Sequence, residues 1–120
     1  MGFDVLFQDK PWGAFAQYAH NQEVTVKIIT VNPGERLSLQ RHKHREEMWV
    51  PLDEGLVSIV DGKCRRLWKD KDFLTPVRIL RGVVHTMENV ETAPARFLEV
   101  SFGHFDEDDI ERLDDKYGRC

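Results

Sequence analysis

Apolar and polar residues in this chain alternate over short stretches that are broken by turn residues. Val24-Thr-Val-Lys-Ile-Ile-Thr-Val31 is rich in β-branched residues and long enough for a central strand. Asn32-Pro-Gly34 marks a turn. Leu37-Ser-Leu-Gln-Arg41 alternates next, which places Leu37, Leu39 and Arg41 on one face. Met48-Trp-Val50 and Leu56-Val-Ser-Ile-Val60 read as further strands. Asp61-Gly62 is a hairpin turn leading into Cys64-Arg-Arg-Leu-Trp68. Val77-Arg-Ile-Leu80 precedes a turn at Arg81-Gly82, and Ala95–Phe102 is the last clear strand. The tail changes period. From Asp106 to Tyr117, Ile110, Leu113 and Tyr117 fall on one helical stripe, with Asp106 as N-cap and acids in the first turn. Gly118 is placed to end that helix. Many short strands and one short C-terminal helix predict an all-β fold, a small barrel or double-sheet jelly roll.

Size and charge narrow the functions open to such a fold. At 120 residues the chain fits a single domain, 1–120, with one modest core. The net charge is −4 and the basic residues form no long run, which argues against a nucleic-acid binder held by bulk electrostatics. A local basic pocket for one phosphate stays open. Cys64 and Cys120 form no CxxC pair and no disulfide framework; read as free thiols, they suit a reducing cytoplasm. The first ten residues have neither a basic leader nor a long apolar run, so no signal peptide and no membrane span are expected.

The chemistry gathers in Gln40-Arg-His42-Lys-His44-Arg-Glu-Glu47. On a strand, Gln40, His42 and His44 share a face, with a carboxylate following at Glu47. Two imidazoles and a carboxylate can make an open divalent-metal site. The bland reading is solvated surface, because strands carry His-x-His by chance. His85 follows Arg81-Gly82 and is aimed from a loop into a strand; alone it would read as a hydrogen-bonded histidine. His20 and His104 sit in polar surroundings and read as surface. Trp12, Trp49, Trp68, Phe97 and Phe102 read as core, with Trp12 a possible pocket wall.

The stretch from Gly34 to Trp49 resembles the first cupin motif, and Gly82-Val-Val-His85-Thr-Met-Glu-Asn89 resembles the second. The resemblance narrows to the C-terminal cupin domain of type II phosphomannose isomerases, a domain often fused to a mannose-1-phosphate guanylyltransferase. Lys10-Pro-Trp-Gly13 and the run from Glu107-Asp-Asp-Ile110 to Tyr117-Gly-Arg119 carry it beyond a generic cupin. It implies a double-stranded β-helix and metal ligands at His42, His44, Glu47 and His85, with Gln40 a ligand or near neighbour. The ion would be divalent: zinc first, with nickel, cobalt, manganese or iron(II) also suited to such donors. The resemblance further implies a sugar-phosphate partner. A phosphate needs fixed cations, for which Lys27, Arg36, Arg45 and Arg119 are candidates. Arg36 reads as a solvated charge, and Arg119 lies within the family motif. The resemblance also places Gln40 at the substrate and gives catalytic roles to Glu47, His85 and Arg119. The implied reaction is the aldose–ketose interconversion of mannose 6-phosphate and fructose 6-phosphate.

Four departures from the family pattern stand out: Lys43 and Met48 where histidines are usual, Val50-Pro-Leu-Asp-Glu-Gly55, and Leu80-Arg-Gly82. They keep open a second account, a non-catalytic or divergent cupin that binds a sugar or nucleotide sugar. A third account is a structural β-domain with incidental histidines. With Glu47 as ligand, the proton-transfer base is left open among Glu46, Glu88 and His85. The 120 residues hold no Gly-rich nucleotide loop and are not expected to make a nucleotide sugar alone. Open edge strands in a small cupin predict a homodimer.

Overall fold

The protein is described by a computed structural model covering residues 5–113. Among these residues every regular element is a strand. They are β1 Leu6–Lys10, β2 Gly13–Gln17, β3 Val24–Val31, β4 Gln40–Arg41, β5 Glu46–Pro51, β6 Leu56–Val60, β7 Lys63–Arg66, β8 Val77–Ile79, β9 His85–Asn89, β10 Ala95–Phe102 and β11 Glu111–Arg112. A four-stranded sheet, β3-β10-β5-β8, faces a five-stranded sheet, β11-β4-β9-β6-β7, and β1-β2 forms a separate hairpin. From β3 to β11 the chain passes from one sheet to the other at every step except the β6-β7 hairpin, which gives the jelly-roll architecture expected of a cupin.

Local chemistry explains the clearest elements. Asp61 and Gly62 both adopt positive φ, 52° and 74°, and close a two-residue turn between Val60 and Lys63. Gly55 has φ +110°, and a Cβ there would lie 2.7 Å from Glu91 Cγ, so the β5–β6 corner needs glycine. Asn89 ties the adjacent corner. Its Nδ2 donates to Val31 O at 2.9 Å and Ala93 O at 2.8 Å, and its Oδ1 accepts the Glu91 N–H.

The inner faces of the two sheets enclose Trp49, Phe97, Leu56, Leu67, Val77, Ile79 and Met87, with the Trp49 and Phe97 ring centroids 5.2 Å apart. The four-stranded sheet is apolar on its outer face as well. There Met48, Val50, Val100 and Phe102 pack under Tyr18, Ala19 and Phe73. Strand β5 is therefore buried on both sides, Glu47 and Trp49 inward and Met48 and Val50 outward.

The tail corrects the sequence reading. Asp106–Asp109 form a turn, and β11 pairs with β4 where a helix was expected. Its backbone groups are taken by a sheet edge: Glu111 and Arg112 face Arg41 and Gln40, and Leu113 N–H donates to Leu39 O at 2.7 Å. Consecutive aspartates are weak helix formers, so tertiary pairing prevails. Tyr117, Gly118, Arg119 and Cys120 lie outside the described residues. A second correction concerns Cys64 on β7, which is disulfide-bonded and not a free thiol. Cysteine usage therefore no longer points to a reducing compartment. Among the described residues no helix is long and apolar enough to cross a membrane.

Candidate metal centre

His42, Glu47 and His85 converge at one end of the sandwich, each almost completely buried. Glu47 comes inward from β5 of the four-stranded sheet, and His85 opens β9 of the five-stranded sheet opposite Gln40. His42 stands just past β4. That strand stops at Arg41 because the next residues are held by other partners: Gly82 N–H donates to His42 O at 2.7 Å, and Asp109 takes the N–H groups of Lys43 and His44. The ligand-type atoms of the three side chains all lie within 4.8 Å of one another.

Two main-chain carbonyls set the imidazole tautomers. His42 Nδ1–H donates to Asp109 O at 2.6 Å and His85 Nδ1–H to Val83 O at 2.9 Å. The two Nε2 atoms lie 3.5 Å and 3.6 Å from the Glu47 carboxylate. His42 Nε2 also accepts from Arg45 Nη2 at 3.3 Å, while His85 Nε2 is left with its lone pair. Glu47 Oε2 accepts from Arg45 Nε at 3.0 Å, while Oε1 has no hydrogen-bond partner. The His85 lone pair and the unpartnered Glu47 oxygen are buried together, an arrangement that a bound cation would satisfy. Two imidazoles and a carboxylate also match the donor set of an open zinc-type site. The residues fit a divalent ion.

The trio forms part of the wall of a cavity of about 200 Å³. Gln40 joins it from β4, Lys27 and Ile29 from β3, Glu99 from β10, and Phe105, Glu107, Ile110 and Arg112 from the closing tail segment. Arg112, Gln40 and His85 stand side by side in register across three strands, so a guanidinium lines the cavity wall near the histidines. Lys27 lies 4.4 Å from the Phe105 ring centroid and 3.4 Å from Glu107. Burial pushes His85 below its ordinary pKa, against the charge of Glu47. Glu99 moves the other way. Burial, with Glu47 nearby, pushes its carboxyl up to about 7, although Trp49 Nε1 donates to it at 3.2 Å. Asp109 loses some hydration, yet the two capped N–H groups hold its carboxyl below the usual range.

The structure redistributes the roles expected from sequence. His44 is exposed and turned out of the cluster, because β4 does not continue through it. Its ring lines a different surface depression, with Arg41, Lys43 and Asp108. Arg45 is buried, and all three of its nitrogens are engaged by Glu47, Asp106 O and His42. It braces Glu47 and His42 and also lines the cavity. Lys27 and Gln40 do line the cavity. Arg119 lies outside the described residues. Glu46 and Glu88, weighed as bases, alternate to the outer faces, away from Glu47 and His85. Met48 points into the outer core cluster and Lys43 is exposed, so neither departure reaches the cavity wall. Sequence reasoning missed Glu99 and Arg112. Glu99 left one signal, a lone carboxylate in the apolar strand Ala95–Phe102.

An all-β jelly roll with a histidine–carboxylate centre at its open end is a cupin. Residues 6–115 match the family model described as "Mannose-6-phosphate isomerase C-terminal", and the chain belongs to that family. It is 35% identical over 111 residues to mannose-1-phosphate guanylyltransferase ManC of Salmonella typhimurium, covering 92% of this chain and 22% of that one. It is 38% identical to alginate biosynthesis protein AlgA of Pseudomonas aeruginosa, with the same coverage. The chain thus spans about a fifth of these relatives. Among solved structures, a sugar phosphate isomerase from the cupin superfamily of Silicibacter pomeroyi aligns at 25% identity and TM-score 0.56, covering 70% of this chain and 52% of that one. The capsular polysaccharide assembling protein CapF of Staphylococcus aureus shares the fold, with TM-score 0.68 at 18% identity over 93% of this chain and 35% of that one.

Proposed function

We propose that this chain is a metal-dependent aldose–ketose isomerase of a sugar phosphate, interconverting mannose 6-phosphate and fructose 6-phosphate. One observation carries the reading: His42, His85 and the unpartnered Glu47 oxygen share a cavity wall with a cation, Arg112, and with a second carboxyl, Glu99. Membership of the isomerase family supports it. His42, Glu47 and His85 would hold the ion, zinc by choice of donors, with Gln40 beside them. A bound divalent ion supplies Lewis acidity to the sugar's O1 and O2 as negative charge develops there.

The remaining steps belong to this chain's side chains. Isomerisation takes a proton from C2 and returns one to C1. Glu99 is assigned the base, because a carboxyl that titrates near neutrality can both accept and return a proton. Trp49 Nε1 orients it. Lys27 and Arg112 are assigned the phosphate, and Arg119 is kept as a candidate beside them. The open edge of β3, with Val26 and Ile28 exposed, is assigned to a homodimer contact.

The test is turnover of mannose 6-phosphate by purified protein loaded in turn with zinc, nickel, cobalt, manganese and iron(II). Glu99→Gln is expected to cut kcat by about 10²–10⁴-fold, with metal content unchanged. Absence of turnover with every metal rules out this substrate; full activity in the variant rules out Glu99.

A further inference from the structure

The Asp108-Asp109 pair lies outside the cavity, yet Asp109 grips the His42 loop at three points. Its carboxylate accepts the Lys43 N–H at 2.8 Å and the His44 N–H at 2.9 Å. Its main-chain carbonyl accepts from His42 Nδ1 at 2.6 Å. The turn that presents it is braced from within: Asp109 N–H donates to Asp106 O at 3.0 Å, and Asp108 N–H to Asp106 Oδ1 at 2.9 Å. It is braced on the far side by the pairing of β11 with β4. The same turn takes Arg45 Nη1 on Asp106 O at 3.1 Å, and Arg45 in turn holds Glu47. One short turn thus sets the orientation of one imidazole and, through Arg45, of the carboxylate it faces.

We propose that Asp109 is a positioning residue for the metal centre: its side chain caps the Lys43–His44 backbone so that its own carbonyl meets His42 Nδ1–H and aims Nε2 at Glu47. Backbone N–H groups left without that cap would turn to water, and the four-residue loop between β4 and β5 would lose its bend. His42 would then sample other rotamers and both tautomers. A ligand held in one orientation binds more tightly than a mobile one, and groups that orient metal-bound histidines are typically worth about 10–100-fold in affinity. The inference rests on the metal reading for its affinity arm and on metal-free geometry for the other.

Asp109→Ala, Asp109→Asn and Asp108→Ala separate positioning from charge. Zinc affinity is measured by competition with a chromogenic chelator. Asp109→Ala is expected to bind about 10–100-fold more weakly, Asp109→Asn in between because one acceptor remains, and Asp108→Ala within about twofold of the parent. In the metal-free proteins, amide exchange at Lys43 and His44 should rise about tenfold or more in Asp109→Ala, and the His42 ¹⁵N spectrum should show mixed tautomers. Parent-like affinity and exchange in Asp109→Ala overturn the proposal. So does an equal loss in Asp108→Ala, which would make the effect one of charge. If Asp109→Ala does not fold, Asp109→Asn decides, since it must lose more affinity than Asp108→Ala. A parent protein that binds no zinc sinks the metal reading, while the exchange comparison still decides the positioning role.

Discussion

Three strands each cross from hydrophobic core to polar cavity within a step of two residues. On β5 the step is Trp49 to Glu47, on β10 it is Phe97 to Glu99, and on β9 it is Met87 to His85. All six side chains point inward and all are buried. The apolar trio fills the middle of the sandwich, where burial and ring packing stabilise the fold. The polar trio occupies one end, where burying ionisable groups costs stability unless they are paired or bind a cation. The alternation that assigns a side chain to the inner face is indifferent to its polarity. The core half holds the sheets at a fixed separation, and the polar half uses that separation to bring groups from both sheets within ligand distance.

The sharpest way to break this contrast is to remove the polar end. His42→Ala combined with His85→Ala should take metal content from stoichiometric to none and abolish turnover, with the β-sheet circular dichroism kept. Zinc at a hundredfold excess over its Kd should stabilise the parent by about 2.7 kcal/mol and the double variant not at all. Metal bound at parental level in the double variant would falsify the ligand assignment. Trp49→Ala attacks the other end. It should cost about 3–5 kcal/mol in chemical denaturation of the metal-free protein, because a fully buried ring leaves a large cavity. A cost below about 1 kcal/mol would mean the core is not what holds the two sheets apart.

A pH titration of the metal-free protein sharpens the contrast further. Glu99 ionises near 4.5 when unfolded and near 7 when folded. Between those values the folded state holds a proton that the unfolded state has released, so this carboxyl makes stability fall as pH rises through that window. Glu99→Gln should remove that slope, a gain of up to about 3 kcal/mol above pH 7. His85 has the opposite sign. Its folded pKa is lowered by burial, so its contribution is lost as pH falls below about 6.5. The smallest effect at the site is expected from Met48→His. It should leave zinc affinity within about twofold, since position 48 faces the outer core, while costing about 1–3 kcal/mol for burying a polar ring there. A large change in affinity would contradict the separation of the two faces of β5.

Much of the frame was legible beforehand. The strands over Val24–Val31, Leu56–Val60 and Ala95–Phe102 have the bounds their patterns predicted, and Asp61-Gly62 closes the hairpin it announced. These signals are local: β-branched runs, period-two alternation and a dipeptide that accepts positive φ. The β1-β2 hairpin was not foreseen, because almost all of its residues are exposed to some degree and its alternation carries little contrast. At the site, His42, Glu47 and His85 were foreseen as ligands and the structure brings them together, but His44 was included with them on the assumption that β4 ran on. The loop bends there because Asp109, 66 residues from Lys43 and 65 from His44, captures their N–H groups. No periodicity within the histidine stretch can report so distant an acceptor.

The residue pattern by itself determined the class of fold, the turns and the donor types for an ion, since each follows from a few neighbouring residues. Tertiary structure decided which histidine joins the cluster, that Arg45 is held against Glu47 and His42, and that Glu99 and Arg112 enter the cavity wall. It also turned a helical stripe into the strand β11. In each case the deciding contact joins segments far apart in the chain: Arg112 with Gln40, Gln40 with His85, Asp109 with His44. A strand's own sequence assigns its side chains to a face, whereas pairing with distant strands sets which of those side chains meet.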